Sequence, residues 1–99
     1  MGKVDWTEEA SRWLHRIYSS IAADDPGAAM GTVRGILDKA QSLSRFPELG
    51  QRYPVQSNQH VRFIRYGHYR IAYRVKRGGD VDVLGVFHER LDIKRYLDP

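Results

Sequence analysis

Val61-Arg62-Phe63-Ile64-Arg65-Tyr66-Gly67-His68-Tyr69-Arg70-Ile71-Ala72-Tyr73-Arg74-Val75 is two alternating runs hinged on one glycine. Side chains along a strand point to opposite faces in turn, so a period of two marks a half-buried strand. Gly67-His68 is a two-residue link with glycine first, the chemistry of a type II′ hairpin turn. Tyr69, Ile71, Tyr73 and Val75 are expected on one face of the return strand. Arg70, Ala72, Arg74 and Lys76 are expected on the other. Lys76-Arg77-Gly78-Gly79-Asp80 reads as a second turn, leading into Val81-Asp82-Val83-Leu84-Gly85-Val86-Phe87-His88. That third strand is apolar on both faces near its end, which places it inside a sheet. Glu89 to Leu97 reads as a terminal turn or short helix, and residues 51–60, polar with one proline, as a loop.

Upstream the period is helical. Ala10, Trp13, Leu14, Ile17, Tyr18, Ile21 and Ala22 recur at three- and four-residue intervals, as the buried stripe of an amphipathic helix does. Thr7 suits its N-cap, and Glu8 and Glu9 suit the positive end of its dipole. Asp24-Asp25-Pro26-Gly27 ends this helix and starts another, with Asp25 as cap and Pro26 in the first turn. The second helix is expected from about Pro26 to Arg45, with Ala29, Val33, Ile36, Leu37, Ala40 and Leu43 as its stripe. Gly31 and Gly35 weaken its propensity but permit close helix packing. Lys3 to Trp6 is a short strand, expected at a sheet edge. The order is β-α-α-β-β-β: an α+β domain with a helical hairpin packed on a small, mostly antiparallel sheet.

The chain has 99 residues, which predicts a single domain spanning 1–99. Apolar residues make up 41% and charged residues 28%, against collagen-like, low-complexity or disordered classes. With no cysteine there is no disulfide framework, consistent with a cytoplasmic location. No apolar run approaches the roughly 18 residues of a membrane span. Met1-Gly2 opens like a myristoylation signal, but Trp6 stands where that signal needs serine or threonine. The net charge of +4 favours an acidic partner.

The ordered set of motifs resembles the RelE/ParE superfamily of toxins from type II toxin–antitoxin pairs. It comprises Val4-Asp5-Trp6-Thr7-Glu8-Glu9-Ala10, Leu14-His15-Arg16-Ile17-Tyr18 with Ile21-Ala22, and Asp25-Pro26. Leu43-Ser44-Arg45-Phe46-Pro47-Glu48-Leu49-Gly50, Tyr69-Arg70-Ile71-Ala72-Tyr73 and Val86-Phe87-His88-Glu89-Arg90 complete it. Asp25-Pro26, Phe46-Pro47-Glu48-Leu49-Gly50 and a strand ending in His88-Glu89-Arg90 look more like the ParE branch. The resemblance implies a cytoplasmic toxin neutralised by a cognate antitoxin whose disordered tail wraps it. A ParE-like chain implies a DNA gyrase poison acting by binding, with no catalytic residues and a role in plasmid stabilisation. The basic C-terminal end, Arg90, Lys94, Arg95 and Tyr96, is then the expected target contact.

The alternative is a RelE-like endoribonuclease cutting mRNA on the ribosome. Metal-free RNA cleavage needs a base for the 2′-hydroxyl and cations for the phosphate. Here His88 or Tyr96 would be the base, and Arg65, Arg70, Arg74 and Arg90 the phosphate stabilisers. Glu89 argues against it, because a carboxylate there repels phosphate. A purely structural reading has Arg70 paired with a carboxylate such as Asp82, His88 capping its strand, and Trp6 and Trp13 in the core. Glu8 and Glu9 serve the helix dipole rather than acid–base chemistry. His15, His60 and His68 show no metal-ligand spacing, and no phosphate-binding glycine loop or nucleophile elbow is present; no metal or cofactor is expected.

Overall fold

The structure, a computed structural model, describes residues 2–53, 60–92 and 94–97. Its elements are β1 (Val4–Trp6), α1 (Glu8–Ala22), α2 (Pro26–Gln41), β2 (Gln51–Arg52), β3 (Val61–Tyr66), β4 (Tyr69–Val75), β5 (Val81–His88) and α3 (Lys94–Leu97). The five strands form one sheet in the order β1-β5-β4-β3-β2. Among the described strands only the β1–β5 pair is parallel. The two long helices pair with each other, and α1 lies against β5. β1 stands at the edge and β5 inside, as their sequences predict.

The caps are those the sequence offers. The Thr7 hydroxyl accepts from the Ala10 amide at 3.1 Å and donates to the Val83 carbonyl at 2.9 Å, so one residue starts α1 and ties it to β5. Asp25 accepts from the Ala28 amide at 3.1 Å. Gly67 has φ +57° and no non-glycine residue described has positive φ, which is the type II′ pattern.

Ala10, Ile36, Ala40, Leu43, Ile64, Ile71, Tyr73, Val81, Val83 and Val86 form the main core between helices and sheet. Four expectations need correction. Residues 51 and 52 form a strand rather than a loop, because their backbone pairs with β3; residues 54–59 of that expected loop lie outside the described part. The second helix stops at Gln41 and continues as a 3-10 turn, Ser42–Ser44. Gly35 makes room for the Tyr66 ring of β3 rather than for the other helix, and Gly31 faces open space. Trp6 and Trp13 are both half-buried: Trp6 packs against the main core, as expected, but Trp13 lies outside it, against Ala72 and Phe87.

A bulge sets the faces of β5. Ala72 pairs with Gly85 but Tyr73 pairs with Val83, so Leu84 is left over. An extra residue in one strand shifts the side-chain alternation beyond it. Val83 and Val86, three apart, therefore both enter the main core, while Phe87 turns to the other face over Ala72.

Candidate functional site

Residues opposite one another in an antiparallel pair share a face. The register places Arg65, Arg70 and Phe87 together, followed by Phe63, Ala72 and Gly85, on the face away from the helices. Arg74 shares that open face. Tyr66, Tyr69 and His88 form the matching row on the helix face. The hairpin tip at Gly67-His68 and the chain leaving β5 meet at the same end of the sheet.

There the residues after His88 form a tightly held arm. The Glu89 amide donates to the His68 carbonyl at 2.7 Å, and the Leu91 amide to the His88 carbonyl at 2.9 Å. The Arg90 amide donates to His88 Nδ1 at 3.2 Å. His68 Nδ1 and Glu89 Oε1 are 2.8 Å apart, and Arg65 Nη1 lies 3.4 Å from Glu89 Oε2. The hydrogen bond from His68 holds the Glu89 carboxyl below the usual carboxylate range, with Coulombic help from His68, Arg65 and His88.

Arg70 reaches across the open face to the same arm. Its Nη2 donates to the Leu91 carbonyl at 3.0 Å and the Glu89 carbonyl at 3.4 Å. Its guanidinium carbon sits 5.7 Å from the centre of the Phe63 ring. Farther along the arm, the Tyr96 ring packs 5.0 Å from Trp13 and 5.5 Å from Phe87, and those two rings are 4.8 Å apart. The arm is thus fixed at three places, by His68 and Arg65 on Glu89, by Arg70 on its turn and by two aromatic rings under Tyr96.

At the opposite end of the same face, Arg74 Nη2 is 2.9 Å from Asp82 Oδ2 and Lys76 Nζ is 3.1 Å from Asp82 Oδ1. These bonds, Arg74's first, hold the Asp82 carboxyl below its ordinary range. Asp82 thus takes Arg74, not Arg70, as its partner, because the register sets Arg74 directly across from it.

The six residues of the nuclease reading are not brought into one cluster. Arg65, Arg70 and Arg74 share the open face, His88 lies on the helix face, and Arg90 and Tyr96 follow on the arm. Of the expected target contacts, Arg90, Arg95 and Tyr96 are exposed, and Lys94 is described by its backbone, in α3. Among the described residues no group of three histidine, aspartate or glutamate side chains is placed to hold a metal. His68, Trp13 and Phe87 belong to the arm's surroundings, a role that the sequence reading did not assign to them. The only signal for His68 was its position at a hairpin tip.

A second feature lies between α1 and α2, beside Trp6 of β1. Trp6, Leu14, Tyr18, Val33 and Leu37, with Ser11 and His15, line an open groove of about 310 Å³. Leu37 is 41% exposed, so the helix stripes are not fully covered by the sheet.

Residues 4–93 match the family described as the ParE toxin of the type II toxin–antitoxin system parDE. No curated protein matches the chain. Among solved structures, it is similar to the chromosomal ParDE toxin–antitoxin system of P. aeruginosa. The two share 23% identity and a TM-score of 0.72 over 89% of this chain and 96% of that one. It is also similar to the RelBE2 toxin–antitoxin complex of Mycobacterium tuberculosis, at 26% identity and a TM-score of 0.66 over 88% of this chain and 96% of that one. With the family matched from the first strand to the start of the C-terminal arm, this chain belongs to the ParE toxin family of type II toxin–antitoxin systems.

Proposed function

We propose that this toxin arrests growth by binding DNA gyrase through its C-terminal arm, and that a cognate antitoxin neutralises it in the cytoplasm. The observation that carries the choice of target is the engagement of the open-face arginines. Arg70 holds two backbone carbonyls, Arg74 holds Asp82, and Arg65 faces Glu89. A metal-free nuclease needs its cations aimed at one phosphate with a base beside them. Here the histidine offered as base lies across the sheet from them, and a carboxylate follows it in sequence. A chain acting by protein contact needs no such cluster. Arg90, Arg95 and Tyr96 supply an exposed, basic and aromatic surface of the kind that anchors interfaces.

The groove between α1 and α2 supports the antitoxin half of the reading. An apolar channel rimmed by polar side chains suits an amphipathic segment that folds as it binds. The net charge of +4 would speed capture of an acidic tail. Among the described residues no helix is long and apolar enough to cross a membrane.

The test is labelling of DNA and protein synthesis after induction without antitoxin, paired with a supercoiling assay on purified gyrase. DNA synthesis falling first, with gyrase inhibited, is the expected result. Protein synthesis falling first, or gyrase left fully active, overturns the gyrase target.

A further inference from the structure

We infer that Arg70 is a positioning residue that holds the target-binding arm in place, not a phosphate ligand. The inference rests on the arm being the target contact proposed above. The backbone of β5 ends at His88; Glu89 is held by His68 and Arg65, but the bonds made by the Arg90 and Leu91 amides are short-range, both to His88. Such turns open easily unless something distant pins them. Arg70 is the distant contact that reaches past Glu89 to Leu91, about twenty residues away in sequence. Its Nη2 reaches both the Glu89 and Leu91 carbonyls, which face inward, while the Arg90 side chain between them is exposed. A guanidinium over a ring face is itself held in orientation, and Phe63 supplies that ring. Binding to a partner is stronger when the contacting segment is ordered beforehand. Arg70 thus supports affinity from behind the surface that Arg90, Arg95 and Tyr96 present.

Trypsin reads this directly. To cut after Arg90 the protease must draw the Arg90–Leu91 bond into an extended form. The bonds from Arg70, His88 and the Leu91 amide all oppose that. A charge-assisted hydrogen bond removed from a local opening equilibrium raises cleavage by about tenfold or more. Arg70→Ala is expected to speed cleavage after Arg90 by at least that factor and to weaken gyrase inhibition. Arg74→Ala removes the same charge from the same face and is expected to leave arm cleavage at the wild-type rate. Arg70→Lys keeps the charge but not the planar guanidinium held over Phe63, and is expected to free the arm partly. It also keeps the test alive if the alanine variant fails to fold.

An arm cut no faster in Arg70→Ala or Arg70→Lys overturns the inference. So does a freed arm with undiminished gyrase inhibition, because arm order would then not matter to the target. If wild-type toxin leaves gyrase active, the proposed target fails instead. Cleavage after Arg90 and growth arrest in the same variants then decide the role of Arg70.

Discussion

Tyr73→Phe removes one oxygen and tests how the turn between the helices and the sheet is held. Tyr73 is the largest fully buried side chain among the described residues, and its hydroxyl lies against Phe46-Pro47-Glu48-Leu49-Gly50. It donates to the Pro47 carbonyl at 2.8 Å and accepts from the Gly50 amide at 2.8 Å. Arg62 adds a bond to the Gly50 carbonyl at 2.7 Å from the neighbouring strand. Phenylalanine fills the same space, so no cavity term enters. The loss is two hydrogen bonds, with a buried donor and a half-buried acceptor left unpaired. At about 1–3 kcal/mol for each buried group left unsatisfied, the loss comes to about 2–4 kcal/mol. For a domain of this size that lowers Tm by roughly 10–25 °C. Urea unfolding followed by tryptophan fluorescence is the assay, with an unchanged m-value showing that the folded and unfolded states themselves are the same. A second limb comes from pH. Burial pushes the Tyr73 hydroxyl above the ordinary tyrosine range. The folded state therefore keeps a proton that the unfolded chain gives up. This stability is complete below tyrosine's ordinary value near 10 and is lost as pH rises through the folded value. Wild type minus Tyr73→Phe should show that alkaline loss, since the other tyrosines cancel. A destabilisation under about 0.5 kcal/mol, or no alkaline difference, would refute the reasoning.

Two further outcomes follow from the open face. Asp82→Asn should flatten the acid limb of the stability profile: a carboxyl held low by Arg74 and Lys76 stabilises the fold above its unfolded value near 4, and that contribution disappears as pH falls through the folded value. An acid limb identical to wild type in urea titrations would show that the ion pair contributes nothing. Gly85→Ala should cost about 1–3 kcal/mol, because a Cβ there would stand 2.5 Å and 2.7 Å from carbons of the Phe87 ring, which Trp13 and Tyr96 already flank. The displaced ring should also change Trp13 emission in a Trp6→Phe background, and an unchanged spectrum with unchanged stability would contradict the packing.

The sequence disclosed the elements wherever a local rule governed them. Thr7 and Asp25 cap their helices because a short oxygen side chain answers an orphan amide, and that requirement is local. Gly67 forms its turn because the left-handed backbone it adopts is open to glycine. The strand at Gln51–Arg52 was invisible because its only credentials are backbone bonds to β3, and its side chains are polar and exposed. The end of α2 was overrun because Ser42 and Leu43 continue the helical spacing into a 3-10 turn. Partners were harder still. Arg70 and Arg74 were rightly placed on one face by parity. Which acceptor each takes depends on the register between β4 and β5, and nothing in either strand's composition encodes that.

The left-over Leu84 shows how much rests on that register. Side-chain alternation carried unbroken from Val83 would put His88 on the open face with Arg70 and Arg74, and Phe87 among the helices. A histidine beside two arginines is the outline of a metal-free nuclease. The extra residue reverses both assignments. Phe87 moves to the open face and becomes a floor for Tyr96, while His88 goes to the helix side, and its Nδ1 accepts from the Arg90 amide. Arg70 then meets the carbonyls of the arm where a substrate phosphate would otherwise be needed. Residue types that suit RNA cleavage are thus arranged to hold the C-terminal arm. The difference lies in one unpaired residue of β5 rather than in any change of chemistry.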